Sequence, residues 1–383
     1  MSYHHIDILE KQSPKKAGSP CGDVFGTYRN EFATTIVLSD GLGSGIKANI
    51  SANLCISRIF GLLKYGATLR ETFTAMVKTM NKAWGTVEPF AVFSIMQILH
   101  NGDVTVLSYE MPSPILISKN NAIILSDRTY PIEKSIISEV NTKLELGEGI
   151  LLVSDGITQA GLGNGLTNGW EITGVRQFLQ QNLNTENFKI EDIVNSVHNK
   201  ALQLWGRKSG DDCSAILAKT RSGIIVNILT GPPVDKNKDK EMVEKFNNND
   251  GIKIICGGTT AKVVARELNR KLDVDLESEN SFTPPSYAIE GMNIVTEGVI
   301  TLNQVYNMLD ESIEDLISKS KVMQLTEFLI MADRVNIWSG DSDNLNTGSI
   351  EFRQQGIVNR KNIIGLISNK LMSMGKLVVN YKF

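Results

Sequence analysis

Apolar residues in the first 220 positions follow two different periods. Segments 49–65 and 69–84 have apolar residues at helical spacing, and a further helix is predicted at 191–205. Shorter apolar runs between turn residues predict strands at 34–38, 91–99, 104–109, 115–117, 122–125, 149–153 and 213–217. Asn101-Gly102 joins two of these runs and is typical of a hairpin. Strands in consecutive hairpins, with helices grouped elsewhere, predict the layers of an α+β fold.

The pattern changes after Lys219, where strands and helices alternate. Strands are predicted at 224–229, 252–255, 335–338 and 377–381, and helices at 238–246, 260–272, 302–309, 313–331 and 361–374. Such alternation predicts a smaller α/β domain with a partly parallel sheet. We place the boundary at 221–223, giving domains 1–220 and 222–383. The polar tract 235–250 lies inside the second domain and is predicted to be a solvated face or loop.

Composition narrows the class of protein without identifying it. The chain has 383 residues, 42% hydrophobic and 21% charged, which is ordinary for a soluble globular protein. A net charge of −3 gives no support for nucleic-acid binding. No apolar run reaches the length of a membrane span, and the N-terminus lacks the pattern of a signal peptide. Four widely spaced cysteines fit reduced thiols, so we expect a cytoplasmic protein without a membrane partner.

Acidic residues recur at the ends of the apolar runs. The phrase Ser-Asp-Gly follows two of them and contains Asp40 and Asp155, while Asp211 precedes a third run and Asp23 lies upstream. A single aspartate after a strand is more often a turn cap than a ligand. Four such elements in this order favour a site for a hard cation, Mg²⁺ or Mn²⁺, because these ions prefer oxygen ligands.

At these residues the chain resembles a known family. The elements are Cys-Gly-Asp at 21–23, Asp-Gly-Leu-Gly-Ser-Gly at 40–45, Ser-Asp-Gly at 154–156 and Gly-Asp-Asp at 210–212. They are similar to those of the metal-dependent protein phosphatases of the protein phosphatase 2C type, and closest to the bacterial SpoIIE-like branch. The resemblance covers about residues 20–218, and Asp-Gly-Leu-Gly-Ser-Gly is its most specific part.

The resemblance implies a β-sandwich flanked by helices, with two Mn²⁺ or Mg²⁺ ions at one end. Asp40 would bridge both ions and the carbonyl of Gly41 would bind one of them. Asp155 and Asp211 would hold the other ion, and Asp23 would bind directly or through water. The implied reaction is hydrolysis of a phosphomonoester by a water that the two ions activate.

The chain departs from the family pattern at two places. Some eukaryotic members carry histidine after the Asp-Gly pair as a proton donor, whereas this chain has Leu42. Those members also bind phosphate with an arginine before the first acidic element, where this chain has Lys15 and Lys16. The family often has asparagine or aspartate at the position of Asp212, so the resemblance assigns Asp211 and not Asp212 as a metal ligand.

Two glycine-bearing turns mark the second domain. Thr230-Gly231 ends the strand predicted at 224–229, and Gly257-Gly258-Thr259-Thr260 joins the next strand to a helix. Backbone amides at a helix start can bind an anion, so these residues predict a crevice for a small anionic ligand. The alternative is that the turns are purely structural, since no P-loop lysine follows them.

We therefore expect a metal-dependent serine/threonine phosphoprotein phosphatase of bacterial signalling, with a regulatory α/β tail. Its partner would be a phosphorylated signalling protein, for example one similar to the antagonists of anti-sigma factors. The alternative is a catalytically weak phosphatase-fold scaffold or sensor, whose second domain binds a small anion or a partner protein.

Overall fold

The structure is a computed structural model that describes residues 3–86, 89–185, 188–206, 210–275, 286–310, 320–341 and 357–383. Contacts between residues divide the chain into two compact units, 3–222 and 223–383. None of the helices that it describes is long and apolar enough to span a bilayer.

The first unit is built from two antiparallel sheets and the helices that cover them. Its described strands are β1 (His4–Ser13), β2 (Asp23–Arg29), β3 (Ala33–Gly41), β4 (Ala91–Leu99), β5 (Asp103–Tyr109), β6 (Ile115–Ile117), β7 (Ala122–Ile124), β8 (Arg128–Ile132), β9 (Ser135–Lys143), β10 (Gly149–Val153) and β11 (Cys213–Ser222). Its described α-helices are α1 (Ile46–Lys64), α2 (Leu69–Ala83), α3 (Asp155–Thr158), α4 (Glu171–Leu183) and α5 (Ile193–Trp205). One sheet has the order β1-β11-β10-β6-β7 and the other β2-β3-β4-β5-β9-β8.

The two sheets face each other through alternate apolar side chains. Leu38 of β3 and Ile150 of β10 lie in one buried cluster between the sheets. Val37, the neighbour of Leu38, belongs instead to the cluster that packs against α1 and α2. Leu151, beside Ile150, packs toward α4 and α5. This alternation produces helix–sheet–sheet–helix layers and confirms the predicted α+β sandwich flanked by helices.

Sequence patterning misses several elements of this unit. The strands β1, β2, β8 and β9 and the helix α4 were not predicted. Strand β1 reads HHIDILEKQS, with polar residues on both of its faces, yet it pairs with β11 along its whole length. Pairing at the edge of a sheet fixes such a strand without a clean apolar period.

The second unit contains a sheet that is parallel in its centre. Its described strands are β12 (Ile225–Thr230), β13 (Ile252–Cys256), β14 (Leu272–Asp275), β15 (Ser286–Ile289), β16 (Ile294–Thr296), β17 (Arg334–Ser339) and β18 (Leu377–Lys382). Its described α-helices are α6 (Asp239–Asn247), α7 (Gly258–Glu267), α8 (Val299–Met308), α9 (Lys321–Met331) and α10 (Arg360–Ser373). The sheet order is β14-β15-β16-β13-β12-β17-β18. The last five strands in this order, β16, β13, β12, β17 and β18, are parallel. The predicted α/β domain with a partly parallel sheet is confirmed.

Three predicted boundaries in this unit need correction or restriction. The helix predicted at 260–272 is wrong at its end: α7 stops at Glu267, Asn269 takes a positive φ of 51°, and β14 begins at Leu272. The polar tract 235–250 contains the helix predicted at 238–246, observed as α6. This helix buries Phe246 and leaves Lys240 and Glu244 exposed, so the tract is a helix with a solvated face and not a loop. The helix predicted at 313–331 corresponds to α9 from Lys321 onward, and positions 313–319 fall outside the described residues.

Candidate metal centre

Carboxylates from both sheets of the first unit meet at one end of the sandwich. Asp23 opens β2 and lies directly opposite Asp40 in the antiparallel pair of β2 and β3. Asp155 is the first residue of α3, immediately after β10, so this carboxylate begins a helix rather than ending a turn. Asp211 precedes β11, which pairs with β10. The predicted set of four is therefore brought together by strand pairing.

The glycine in each Ser-Asp-Gly phrase is required by close backbone packing. A Cβ at Gly41 would stand 2.0 Å from the carbonyl oxygen of Ala48, and a Cβ at Gly156 would stand 2.0 Å from that of Asp212. Any larger residue at either position would push α1 or the loop before β11 away from its neighbour. The Asp-Gly pair thus places each carboxylate while the backbone behind it stays in contact.

Hydrogen bonds around the ends of β10 and β11 hold the segments that carry the carboxylates. The hydroxyl of Ser154 accepts from the backbone N–H of Ser214 at 3.0 Å. The side chain of Gln159, at the end of α3, donates to Asp155 at 2.9 Å. The backbone N–H of Lys15 donates to Asp212 at 2.7 Å, which ties the loop after β1 to the acidic cluster.

Burial and mutual repulsion strongly perturb these carboxylates. Burial raises the pKa of Asp40 to about 9, and the charges of Asp23 and Asp155 add to the shift. Burial likewise raises the pKa of Asp23 to about 7. Burial and the charge of Asp211 raise the pKa of Asp155, which shares a hydrogen bond with Asp40. Such a cluster favours binding either protons or a cation.

The donor set fits a hard divalent ion, although it is not already arranged around one. Both carboxylate oxygens of Asp23 are buried and have no hydrogen-bond partner among the described residues. The hydroxyls of Ser154 and Ser214 lie close enough to this carboxylate to lower its pKa. Over the described ranges, no three acidic, histidine or cysteine side chains are already close enough to hold a metal ion. The orphaned oxygens and the all-oxygen donor set match what Mn²⁺ and Mg²⁺ require.

Two side chains near the centre, Leu42 and Lys15, bear on proton donation and on phosphate binding. Leu42, directly after the Asp-Gly pair, is 65% exposed and cannot donate a proton. The ammonium of Lys15 lies 3.5 Å from a carboxylate oxygen of Asp211 and is 39% exposed. Sequence reasoning noted Lys15 but did not place it at the centre, because seven residues separate it from Asp23.

The first unit also matches the profile of a known family. The profile of a family described as Stage II sporulation protein E (SpoIIE) matches residues 30–221, half of the chain. The chain belongs to the SpoIIE family. This membership confirms the resemblance to bacterial phosphatases of the protein phosphatase 2C type. A search of curated proteins found none that matches the chain.

Solved structures similar to this SpoIIE family member are distant in sequence. One holds the phosphatase domain and a fragment of the regulatory domain of SpoIIE from Bacillus subtilis, with 15% identity, 58% of this chain covered and a TM-score of 0.49. This chain spans 64% of that chain's length. The RsbU and RsbW domains of a Mycobacterium tuberculosis protein give 16% identity, coverage of 64% and 69%, and a TM-score of 0.47. RsbX in complex with magnesium gives 20% identity, coverage of 56% and 96%, and a TM-score of 0.41.

The residues predicted for an anion site in the second unit also lie together. Strands β12 and β13 are parallel neighbours, with Thr230 opposite Cys256. The backbone N–H of Gly231 donates to the hydroxyl of Thr260 at 2.9 Å. Gly258 and Thr259 are the first two residues of α7. A Cβ at Gly257 would stand 3.0 Å from the hydroxyl of Thr260, and the φ of 132° at this position favours glycine.

Proposed function

We propose that the first unit is a metal-dependent serine/threonine phosphoprotein phosphatase. The observation that carries the proposal is the pairing of Asp23 with Asp40 on adjacent strands, with both oxygens of Asp23 buried and unpartnered among the described residues. A buried carboxylate without a partner is costly, and a divalent cation would remove that cost. Membership of the SpoIIE family gives independent support.

Five residues would hold the ions at this end of the sandwich. They are the side chains of Asp23, Asp40, Asp155 and Asp211 and the carbonyl of Gly41. Two Mn²⁺ or Mg²⁺ ions, when bound, supply a water activated for attack on phosphorus and neutralise the charge on the phosphoryl oxygens. The chain's own contribution is to anchor the carboxylates at the ends of paired strands.

Lys15 is the basic side chain that we assign to the substrate phosphate. Its ammonium is half-exposed beside Asp211, and its backbone is anchored by the hydrogen bond to Asp212. A phosphate bound at the centre would compete with Asp211 for this ammonium. Because Leu42 carries no proton, the leaving alkoxide takes its proton from water.

The natural substrate would be phosphoserine or phosphothreonine on a cytoplasmic signalling protein, such as an antagonist of an anti-sigma factor. The second unit, within residues 222–383, would regulate the phosphatase by binding a small ligand. No nucleic acid enters this proposal, because the net charge is slightly negative.

Release of inorganic phosphate from a phosphoserine peptide by the full chain, titrated with Mn²⁺, tests the proposal. Calorimetry of Mn²⁺ binding to the same sample provides the second readout. Saturable binding accompanied by turnover supports a phosphatase. Binding of Mn²⁺ without turnover of any phosphoserine peptide or nitrophenyl phosphate would favour the alternative, a phosphatase-fold scaffold or sensor.

A further inference from the structure

The strand order of the second unit contains a topological switch point. Counted along the chain, the five parallel strands β12, β13, β16, β17 and β18 stand in the spatial order 3-2-1-4-5. The chain therefore builds outward from β12 in one direction and then returns to build from β17 in the other. In open α/β sheets, ligands bind outside the carboxyl ends of the strands at such a point.

Polar atoms at this edge of the sheet are left without partners. Thr230, the last residue of β12, is 1% exposed, and its hydroxyl has no hydrogen-bond partner within the described ranges. The indole N–H of Trp338, one residue before the end of β17, is also buried without a partner there. Buried polar atoms are normally satisfied, so the orphaned hydroxyl of Thr230 points to a missing partner. Trp338 lies on the opposite face of the sheet, in the cluster with α6 and α7.

The Thr230 hydroxyl faces the same layer as a nearby arginine. Side chains alternate along a strand, so Thr230 shares the face of Ile228, which packs in the cluster with α8, α9 and α10. Arg360 is the first residue of α10. A Cβ on Gly231 would stand 1.8 Å from Nη1 of Arg360, so this glycine makes room for the guanidinium at the end of β12.

On the other face of the same turn lies the start of α7. Gly231 donates its backbone N–H to Thr260, in the first turn of that helix. No side chain caps the first turn of α7, whose cap residue is Gly257. The next helix, α8, differs because the carboxylate of Glu297 accepts from the backbone N–H of Gly298 at 3.0 Å. The start of α8 is therefore occupied by a carboxylate, whereas the cap residue of α7 brings no side chain to the start of that helix.

The geometry points to a binding site for the phosphate group of a small phosphorylated molecule at this switch point. The guanidinium of Arg360 would form an ion pair with the phosphate, and the hydroxyl of Thr230 and the open amides of α7 at Gly258 would donate hydrogen bonds to it. Arginine suits such a group because its planar donors match phosphate oxygens. The site is separate from the carboxylate centre and does not depend on phosphatase activity.

Fluorescence titration of the full chain with inorganic pyrophosphate, at fixed ionic strength and with excess chelator, tests the site. The chelator removes metal from the first unit, so pyrophosphate cannot bind there through ions. Trp338 lies at the edge of the site, and Trp338→Phe shows which part of the signal comes from this indole. We expect saturable binding in the wild type and in Lys15→Ala, which keeps every residue of the proposed site.

Two variants and one matched control decide the assignment. Arg360→Ala should weaken pyrophosphate binding about 10-fold or more, the scale of losing a charge-assisted hydrogen bond. Lys361→Ala, which removes the same charge from the next and exposed residue of α10, should leave binding unchanged. Thr230→Val keeps the shape and removes only a hydroxyl without a protein partner in the described residues, so it should fold normally and bind several-fold more weakly.

Absence of saturable binding up to about 10 mM, a concentration that would detect even millimolar affinity, would overturn the site. Wild-type affinity in both Arg360→Ala and Thr230→Val would overturn it as well, as would an equal loss in Lys361→Ala. Circular dichroism of each variant identifies a failure to fold. If Arg360→Ala does not fold, the comparison of Thr230→Val with the wild type still decides the question.

Discussion

Asp40→Asn should make the metal-free protein more stable while it removes the activity. Burial holds the pKa of Asp40 at about 9, against an ordinary value of 3.8. In the unfolded chain this carboxyl is ionised at pH 7, whereas in the folded chain it must bind a proton. When the pKa of an acid is higher in the folded than in the unfolded chain, the folded state loses stability as the pH rises from the unfolded-state pKa toward the folded-state pKa.

The magnitude follows from the number of pH units between the unfolded pKa and the working pH. Three units at pH 7 correspond to about 4 kcal/mol, at about 1.4 kcal/mol per unit. Because Asp40 and Asp155 share one hydrogen bond, part of that cost belongs to the pair, and we expect a gain of about 2–4 kcal/mol from the substitution. For a unit of this size the midpoint of thermal unfolding should rise by roughly 5–10 °C.

Urea and thermal unfolding in chelator, at pH 5, 7 and 8.5, measure this effect. The difference in unfolding free energy between Asp40→Asn and the wild type should widen as the pH rises. Asp127→Asn provides the control, because it removes the same charge from an exposed loop between β7 and β8. A variant that is less stable than the wild type at every pH, or a difference that does not change with pH, would refute the electrostatic reasoning.

Three further predictions concern the carboxylates of the centre, Lys15 and His198. Asp155→Asn and Asp211→Asn should each lower kcat/KM for nitrophenyl phosphate at saturating Mn²⁺ by at least about 10²-fold, and near-wild-type rates would remove these residues from the centre. Lys15→Ala should raise KM more than it lowers kcat, about 10-fold for one charge-assisted contact, whereas Lys16→Ala, at an exposed position, should change neither. Burial lowers the pKa of His198, so the stability that its neutral form contributes is present at pH 7 and is lost as the pH falls below about 6.5. In chemical denaturation at pH 7 and pH 5, His198→Gln should lose less unfolding free energy between the two pH values than the wild type does. An equal loss in the variant and the wild type would count against this role of His198.

The carboxylates of the candidate centre stand out in the sequence because their signals are local. Each acidic residue adjoins a strong apolar strand, and each Asp-Gly pair records a close backbone contact, as Gly41 does against Ala48. The profile of the SpoIIE family covers Asp40, Asp155 and Asp211 and begins after Asp23.

What the sequence did not predict depends on contacts distant along the chain. Strand β1 is fixed by its pairing with β11, some 200 residues later, and not by its own pattern. Lys15 reaches Asp211 only because that same pairing places the loop after β1 beside the start of β11. In the second unit, Arg360 lies more than 100 residues from Gly231, and the parallel order of the strands brings the two together.

The dependence of turnover on metal tests the central claim most directly. The measurement is the rate at which the full chain releases phosphate from a phosphoserine peptide in Mn²⁺, after addition of excess chelator, and after Mn²⁺ is restored. We predict that chelator abolishes turnover, that Mn²⁺ restores it, and that folded Asp40→Asn stays inactive throughout. Full turnover in excess chelator, or near-wild-type turnover by folded Asp40→Asn, would contradict the assignment of this centre.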